Sequence, residues 1–247
     1  MTRALPRAHI NSSSLVRFLT ENAMLDAAQA GEGVGQKLGD WLNFRQAIAL
    51  HGVLQNDAAP APIPGHQQRA APISPQALAA HVEKVRAQLT ESVLQGAPPG
   101  SGLARIDMPP PELDDPPEPK TAFEPYRRFL AAHQRQMETT VRNLRAQLRL
   151  QLSKRGPAGA QLAALDAAFE SILGEREAAL LAKVSKPLEK RFVQALKAHL
   201  QAPEDPARWL MPLRQTLRTA LLAELDTRLQ PSLGLLEALT PEALHTP

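Results

Sequence analysis

No cysteine occurs in this chain, which excludes a disulfide framework, a thiolate metal site and a cysteine nucleophile. A thiol-free chain fits a reducing compartment, and a cytoplasmic location is the expectation. Aromatic residues make up only 4%, with two Trp and one Tyr, so little is available for base stacking. Long apolar runs are missing too. The longest uncharged apolar stretch, Gln46 to Gln55, falls far short of the ~20 residues of a membrane helix, so no direct membrane insertion is expected. The opening MTRALPRAHINSSS carries two arginines but no apolar core of a secretory leader.

The motifs of catalysis are absent as well. There is no GxSxG, no Walker A sequence and no HExxH. The seven histidines (His9, His51, His66, His81, His133, His199 and His245) are scattered, and no two sit three to five residues apart as helical metal ligands do. Gly31-Glu32-Gly33-Val34-Gly35 is superficially a phosphate loop, but an amphipathic helix precedes it where that motif needs a strand. A helix-to-helix loop is the reading. The expectation is a protein that is not an enzyme and uses no cofactor and no metal.

Proline, by contrast, is plentiful and unevenly placed: 14 of 23 lie between Pro60 and Pro125. Proline removes a backbone donor and clashes with the preceding helical turn. Two linkers are therefore predicted, over residues 58–73 and 96–120. Both are poor in large apolar side chains and cannot offset the entropy of ordering, so they are read as extended or disordered.

The remainder is rich in Leu, Ala, Gln and Arg, poor in Val, Ile and Tyr, and shows no period-two alternation. The fold class is all-α: an elongated antiparallel bundle with a separate N-terminal hairpin and proline-rich linkers. Residues 1–57 form the hairpin, its first arm capped at Ser12 or Ser13 with Leu15, Phe18, Leu19 and Leu25 on one face. Its second arm runs from about Gly35 to Asn56, with Leu38, Trp41, Leu42, Ile48 and Val53 inward. Residues 74–95 form a single helix begun by Ser74-Pro75 and ended by Gly96.

Residues 121–247 form the bundle. Thr121 and Glu124 read as a capping box, and Leu130, Met137, Val141, Leu144, Leu148 and Leu152 as the stripe of a helix reaching Arg155. Next comes a stripe of Leu162, Leu165, Phe169, Ile172, Leu180 and Val184, resumed after Pro187 in one kinked helix. The last long helix opens at Asp205-Pro206 and reaches Gln230, kinked near Pro212, with a short segment after Pro231. Trp41 and Trp209 sit on apolar faces, where core packing is the default and an interface anchor the alternative. So thin a bundle suits self-association or docking on another helical protein.

Charge supplies the candidate surface. Between Thr121 and Gly156 eight Lys or Arg face two Glu. Arg128, Arg135, Arg142 and Arg149 recur every seven residues with Arg145 close by, roughly opposite the leucines. They form a candidate solvent-facing ridge for phosphates or an acidic partner. Immediately upstream, Asp107, Glu112, Asp114, Asp115 and Glu118 make the second linker acidic. That linker either screens the ridge or is a soluble spacer.

The stretches NSSSLVRFLTENAMLD, GQKLGDWLNFRQAIALHGVL, FEPYRRFLAAHQRQMETTVRNLRAQL, LAALDAAFESILGEREAALLAKVSKPLEKRF and LLAELDTRLQPSLGLLEAL resemble an uncharacterised proteobacterial family known only as a domain of unknown function. Members of that family resemble the cytosolic accessory subunit of the third type of Zorya anti-phage system. The resemblance implies a non-catalytic effector or adaptor. It would act with a stator-like membrane motor or with a second, co-encoded cytosolic protein. No site residue is carried over. The rival reading is a nucleic-acid-binding effector that holds phage DNA, independently of sequence, through the arginine ridge.

Overall fold

In a computed structural model of the chain, residues 14–21, 42–55, 73–110, 118, 121–202 and 206–240 are described. The Ser12 or Ser13 cap, Leu25, the glycine loop, Leu38, Trp41, most of the first linker, and Glu112, Asp114 and Asp115 of the second lie outside them. Among the described residues there are seven helices and no strand: α1 (Ser14–Glu21), α2 (Phe44–Gln55), α3 (Pro75–Gln95), α4 (Glu124–Ser153), α5 (Pro157–Ala182), α6 (Ser185–Gln201) and α7 (Pro206–Leu239). The fold is an all-α helical bundle.

Four long rods make its body. Gln151 of α4 accepts from the Ile73 amide just ahead of α3, and Ser92 near the end of α3 meets Gln136, so α3 runs antiparallel to α4. Arg145 meets Asp166 and Arg127 meets Glu189, so α5 and α6 together run back along α4. α7 then returns beside α4, with Trp209 against Phe192 at one end and Glu224 against Gln134 further along. The expected stripe of α4 is buried throughout, Leu148 and Leu152 completely. It meets Leu210, Leu217, Leu221, Leu225 and Leu229 of α7.

The chain ends its helices largely as local chemistry dictates. Ser74 Oγ accepts from the Ala77 amide at 3.2 Å, Pro75 sits in the first turn, and Gly96 closes α3 at φ 98°, a region open mainly to glycine. Between α4 and α5, Gly156 sits at φ 103°. Three residues on, a Cβ added to Gly159 would stand 2.4 Å from the Leu152 carbonyl oxygen, so only glycine lets the two helices approach this closely. Lys183 and Val184 join α5 to α6, and both keep right-handed helical angles. Their amides bond three residues back, to Leu180 and Leu181, which gives the expected kink ahead of Pro187.

Several expectations need correcting. The N-terminal helices are not set apart as a hairpin: α1 rests on α7, burying Leu15, Phe18 and Leu19, while α2 lies on α5. The apolar face of α1 is covered by α7, whereas α2 lies on α5 with its expected inward residue Ile48 55% exposed. α2 begins at Phe44, where Asn43 and Gln46 exchange backbone and side-chain hydrogen bonds at 2.9 and 3.0 Å in a reciprocal cap; the expected start near Gly35 lies outside the described residues. The lone helix α3 is a bundle member that buries Leu78, Val82, Val85, Leu89 and Val93.

The first half of the second linker is fastened as well. Leu103, Ile106 and Met108 pack on the core, and Tyr126 donates to the Pro110 carbonyl at 3.3 Å. Nor does the Thr121–Glu124 box form. Thr121 donates to the Glu118 carbonyl, while Phe123 takes the cap position with its ring fully buried beside Tyr126 and Phe192, and ring burial outweighs one cap bond. α7 continues through Pro231 to Leu239. One missing amide there is outweighed by Ser232, Leu235 and Leu239, all buried beyond it. On α5, finally, Leu162 and Leu180 are 40% and 48% exposed rather than inward.

The register of α4 is testable within one turn. Leu148→Ala should cost about 2–5 kcal/mol in urea unfolding, and Leu150→Ala, at a position 56% exposed, about 0.5 kcal/mol or less. Equal losses would place the stripe wrongly.

Candidate functional site

The five candidate arginines divide into two groups. Residues seven apart drift by about 20° per repeat around a straight helix, so the row turns steadily from solvent toward α5. At its start Arg128 is 78% exposed, with Nε 3.4 Å from Glu124. Arg135 is exposed and its Nε donates to the Ala131 carbonyl of its own helix. Arg142 is 58% exposed and pairs with Glu138 at 2.6 Å.

Arg145 and Arg149 point the other way, into the α4–α5 seam, and are only 12% and 16% exposed. Arg145 grips Asp166 with a two-pronged fork at 2.9 and 2.7 Å. Arg149 reaches Asp166 at 3.0 Å and Glu170 at 2.6 Å. A continuous ridge opposite the leucines is therefore not formed. The signal for this was present: Arg145 and Arg149 are one turn apart, as are Asp166 and Glu170. A hairpin folded at Gly156-Pro157 brings the two pairs face to face.

Beside this seam α5 stands off from α7, and small residues (Ala167, Gly174 and Ala178) leave a cleft of about 390 Å³. Arg142 and Arg145 of α4, Glu170 and Glu177 of α5 and Arg228 of α7 line it. Cations and carboxylates alternate around the wall, so it offers no field of one sign. Ser171 is the hydroxyl there, and no histidine or lysine lines the cleft to activate it. Among the described residues no cluster of three or more His, Asp or Glu could hold a metal ion.

Two buried polar groups sit deeper. Glu224, 1% exposed, receives both Nε and Nη2 of Arg228 on one oxygen at 2.9 and 2.8 Å and Gln134 on the other at 2.8 Å. Gln134 also donates to the Leu181 carbonyl at 3.2 Å, so a single amide ties α4 to α7 and to the end of α5. Burial pushes the Glu224 carboxyl above its ordinary range, and Arg228 pulls it back. His133 is 1% exposed, edge-on to Phe129 at 4.6 Å, with no partner for Nε2. Burial lowers its pKa to about 4. Both groups lie inside the bundle, each 1% exposed.

Two measurements check these assignments. Glu224→Ala strands a buried guanidinium and should cost about 3–5 kcal/mol, whereas Glu224→Leu with Arg228→Leu should restore most of that loss; full cost in the double variant would refute the pairing. The unfolded chain binds a proton on His133 below about 6.5 that the folded chain refuses until about 4. Its contribution therefore makes stability fall as pH drops through that window. The urea midpoint of His133→Leu should accordingly change less between those pH values than that of the parent.

Comparison with known proteins adds one match. No curated protein and no solved structure matches the chain. The profile of one family, described as "Protein of unknown function (DUF3348)", covers residues 1–241. The chain, helical bundle and N-terminal helices together, thus belongs to the DUF3348 family.

Proposed function

We propose that this protein is a non-catalytic interaction subunit of a Zorya-like anti-phage defence system. In this reading it works in the cytoplasm with a stator-like membrane motor or with a co-encoded cytosolic partner. The observation that supports the reading is the α2–α5 layer. Ile48 and Leu54 of α2 are 55% and 50% exposed, and Leu162 of the underlying helix is 40% exposed. Gln161 donates to the Leu54 carbonyl at 3.1 Å and fixes the two helices in contact. A helix layer that leaves this much apolar side chain uncovered suits docking by another protein. The distributed helical resemblance to Zorya accessory subunits supplies the kind of partner. Contact with the motor would come from outside the lipid, since no helix among the described residues is long and apolar enough to cross a membrane.

The rival reading, DNA held by Arg128, Arg135, Arg142, Arg145 and Arg149 together, loses support because two of the five are already engaged by Asp166 and Glu170.

Affinity capture of the tagged full chain from cells carrying its native gene neighbourhood tests the proposal. A motor subunit or the co-encoded cytosolic protein should be retained after nuclease treatment. Ile48→Glu with Leu54→Glu should reduce that capture by about tenfold or more without loss of helicity. Failure to retain either protein, or their release by nuclease, would overturn the assignment.

A further inference from the structure

A second row of cations lies on a different helix. Lys183, Lys186, Lys190 and Lys197 follow one another at intervals of three, four and seven residues along the α5–α6 junction and α6. At about 100° per residue the four lysines fall within a sector of about 60°, and Gln194 fills the remaining place in the row, about 20° beyond its edge. The junction does not break the row, since Lys183 and Val184 keep helical angles. All four lysines are exposed, and among the described residues none of them is in an ion pair. The one acid of α6, Glu189, is turned aside to Arg127 at 2.6 Å.

This face differs in kind from the arginine seam. Arg86, Arg127, Arg142, Arg145, Arg149 and Arg228 each hold a carboxylate of the same chain, so their charge is neutralised locally. The lysines leave theirs directed at solvent over about 21 Å of helix, at ~1.5 Å per residue, with Lys183 on the near side of the junction kink and the other three on α6. That length matches about six base pairs of duplex, each strand carrying one phosphate per ~3.4 Å.

We propose that the lysine row of α6 is a sequence-independent nucleic-acid surface that takes the phosphate backbone of a duplex. Lysine is a compact, strongly hydrated point charge on a flexible stem. It suits phosphates whose positions vary, and backbone contacts need no aromatic or fork-shaped reader. An acidic protein partner fits less well. Lysine is depleted from protein interfaces, whose energy concentrates in aromatic or arginine anchors, and Gln194 is the side chain that completes this row. The inference is independent of the Zorya reading and stands or falls separately from it.

Fluorescence anisotropy of the full chain with two duplex DNAs of unrelated sequence, each several helical turns long, tests it. Both should bind alike. Four neutralised phosphates give a slope of about −3.6 in log affinity against log salt, roughly a hundredfold loss between about 50 and 200 mM. Replacing Lys183, Lys186, Lys190 and Lys197 together by Glu should abolish binding. The same change of charge at the exposed and scattered Lys84, Lys154, Arg155 and Arg176 should leave most of it. If the glutamate variant loses helicity, the fourfold Lys→Gln variant replaces it and must bring the salt slope close to zero. Absence of binding at low salt, equal loss in both charge variants, or displacement by poly-glutamate as readily as by unlabelled duplex would overturn the proposal. The last of these would point to an acidic protein instead.

Discussion

The apolar seam between α4 and α7 is the interaction on which the remaining parts depend. α4 contributes Leu144, Leu148 and Leu152, α7 contributes Leu217, Leu221, Leu225 and Leu229, and each of these side chains is almost wholly removed from water. α3 closes the seam on one side, with Arg86 reaching Asp226. α1 needs α7 as its platform. Even the polar triad of Gln134, Glu224 and Arg228 lies within this contact. The desolvation of Glu224 is tolerable only because the surrounding leucines fix its partners in place. With few rings available, the seam is built mainly from leucine, and four aromatic side chains, Phe123, Tyr126, Phe192 and Trp209, cluster at one end.

Charge in this molecule follows two regimes. Where helices meet, arginine faces Asp or Glu at 2.5–3.0 Å and serves as interhelical joinery. Where α6 faces water, lysine stands without acids in its row. Arginine's planar fork rewards a fixed partner, as at Asp166, whereas lysine's mobile ammonium does not require one. The formal net charge of +3 conceals this division, because the neutralised arginines and the unpaired lysines count alike in the sum.

Much of the fold was legible in the sequence. The all-α class, the stripe of α4, the Ser74-Pro75 start of α3 and the kink before Pro187 follow from periodicity and capping, which act over a few residues. What escaped was decided at longer range. Nothing within Leu15-Phe18-Leu19 says that α7 rather than α2 will cover it, and nothing local shows that Leu103, Ile106 and Met108 suffice to hold a proline-rich segment down. Pro231 is a stop signal that tertiary burial overrides. The arginine row divides for a narrower reason. A strict seven-residue interval does not hold one face, because a straight helix rotates such a row into its neighbour within three repeats. The hairpin register at Gly156 carried the needed information about Arg145 and Arg149, and the lysines of α6 were visible as a spacing.

Gly159 gives the turn between α4 and α5 the character of a ruler. With the Leu152 carbonyl oxygen only 2.4 Å from where a Cβ would stand, the first turn of α5 has no room to slide along the end of α4. The meeting of Asp166 and Glu170 with Arg145 and Arg149 is measured from that fixed point. A single residue inserted between Gly159 and Asp166 would rotate both carboxylates by about 100° and carry them out of reach of both guanidiniums. Elsewhere a connecting loop is where length varies freely between relatives. Here the pairing itself sets the spacing from Gly159 to Glu170, so an insertion between them would cost the chain both pairs.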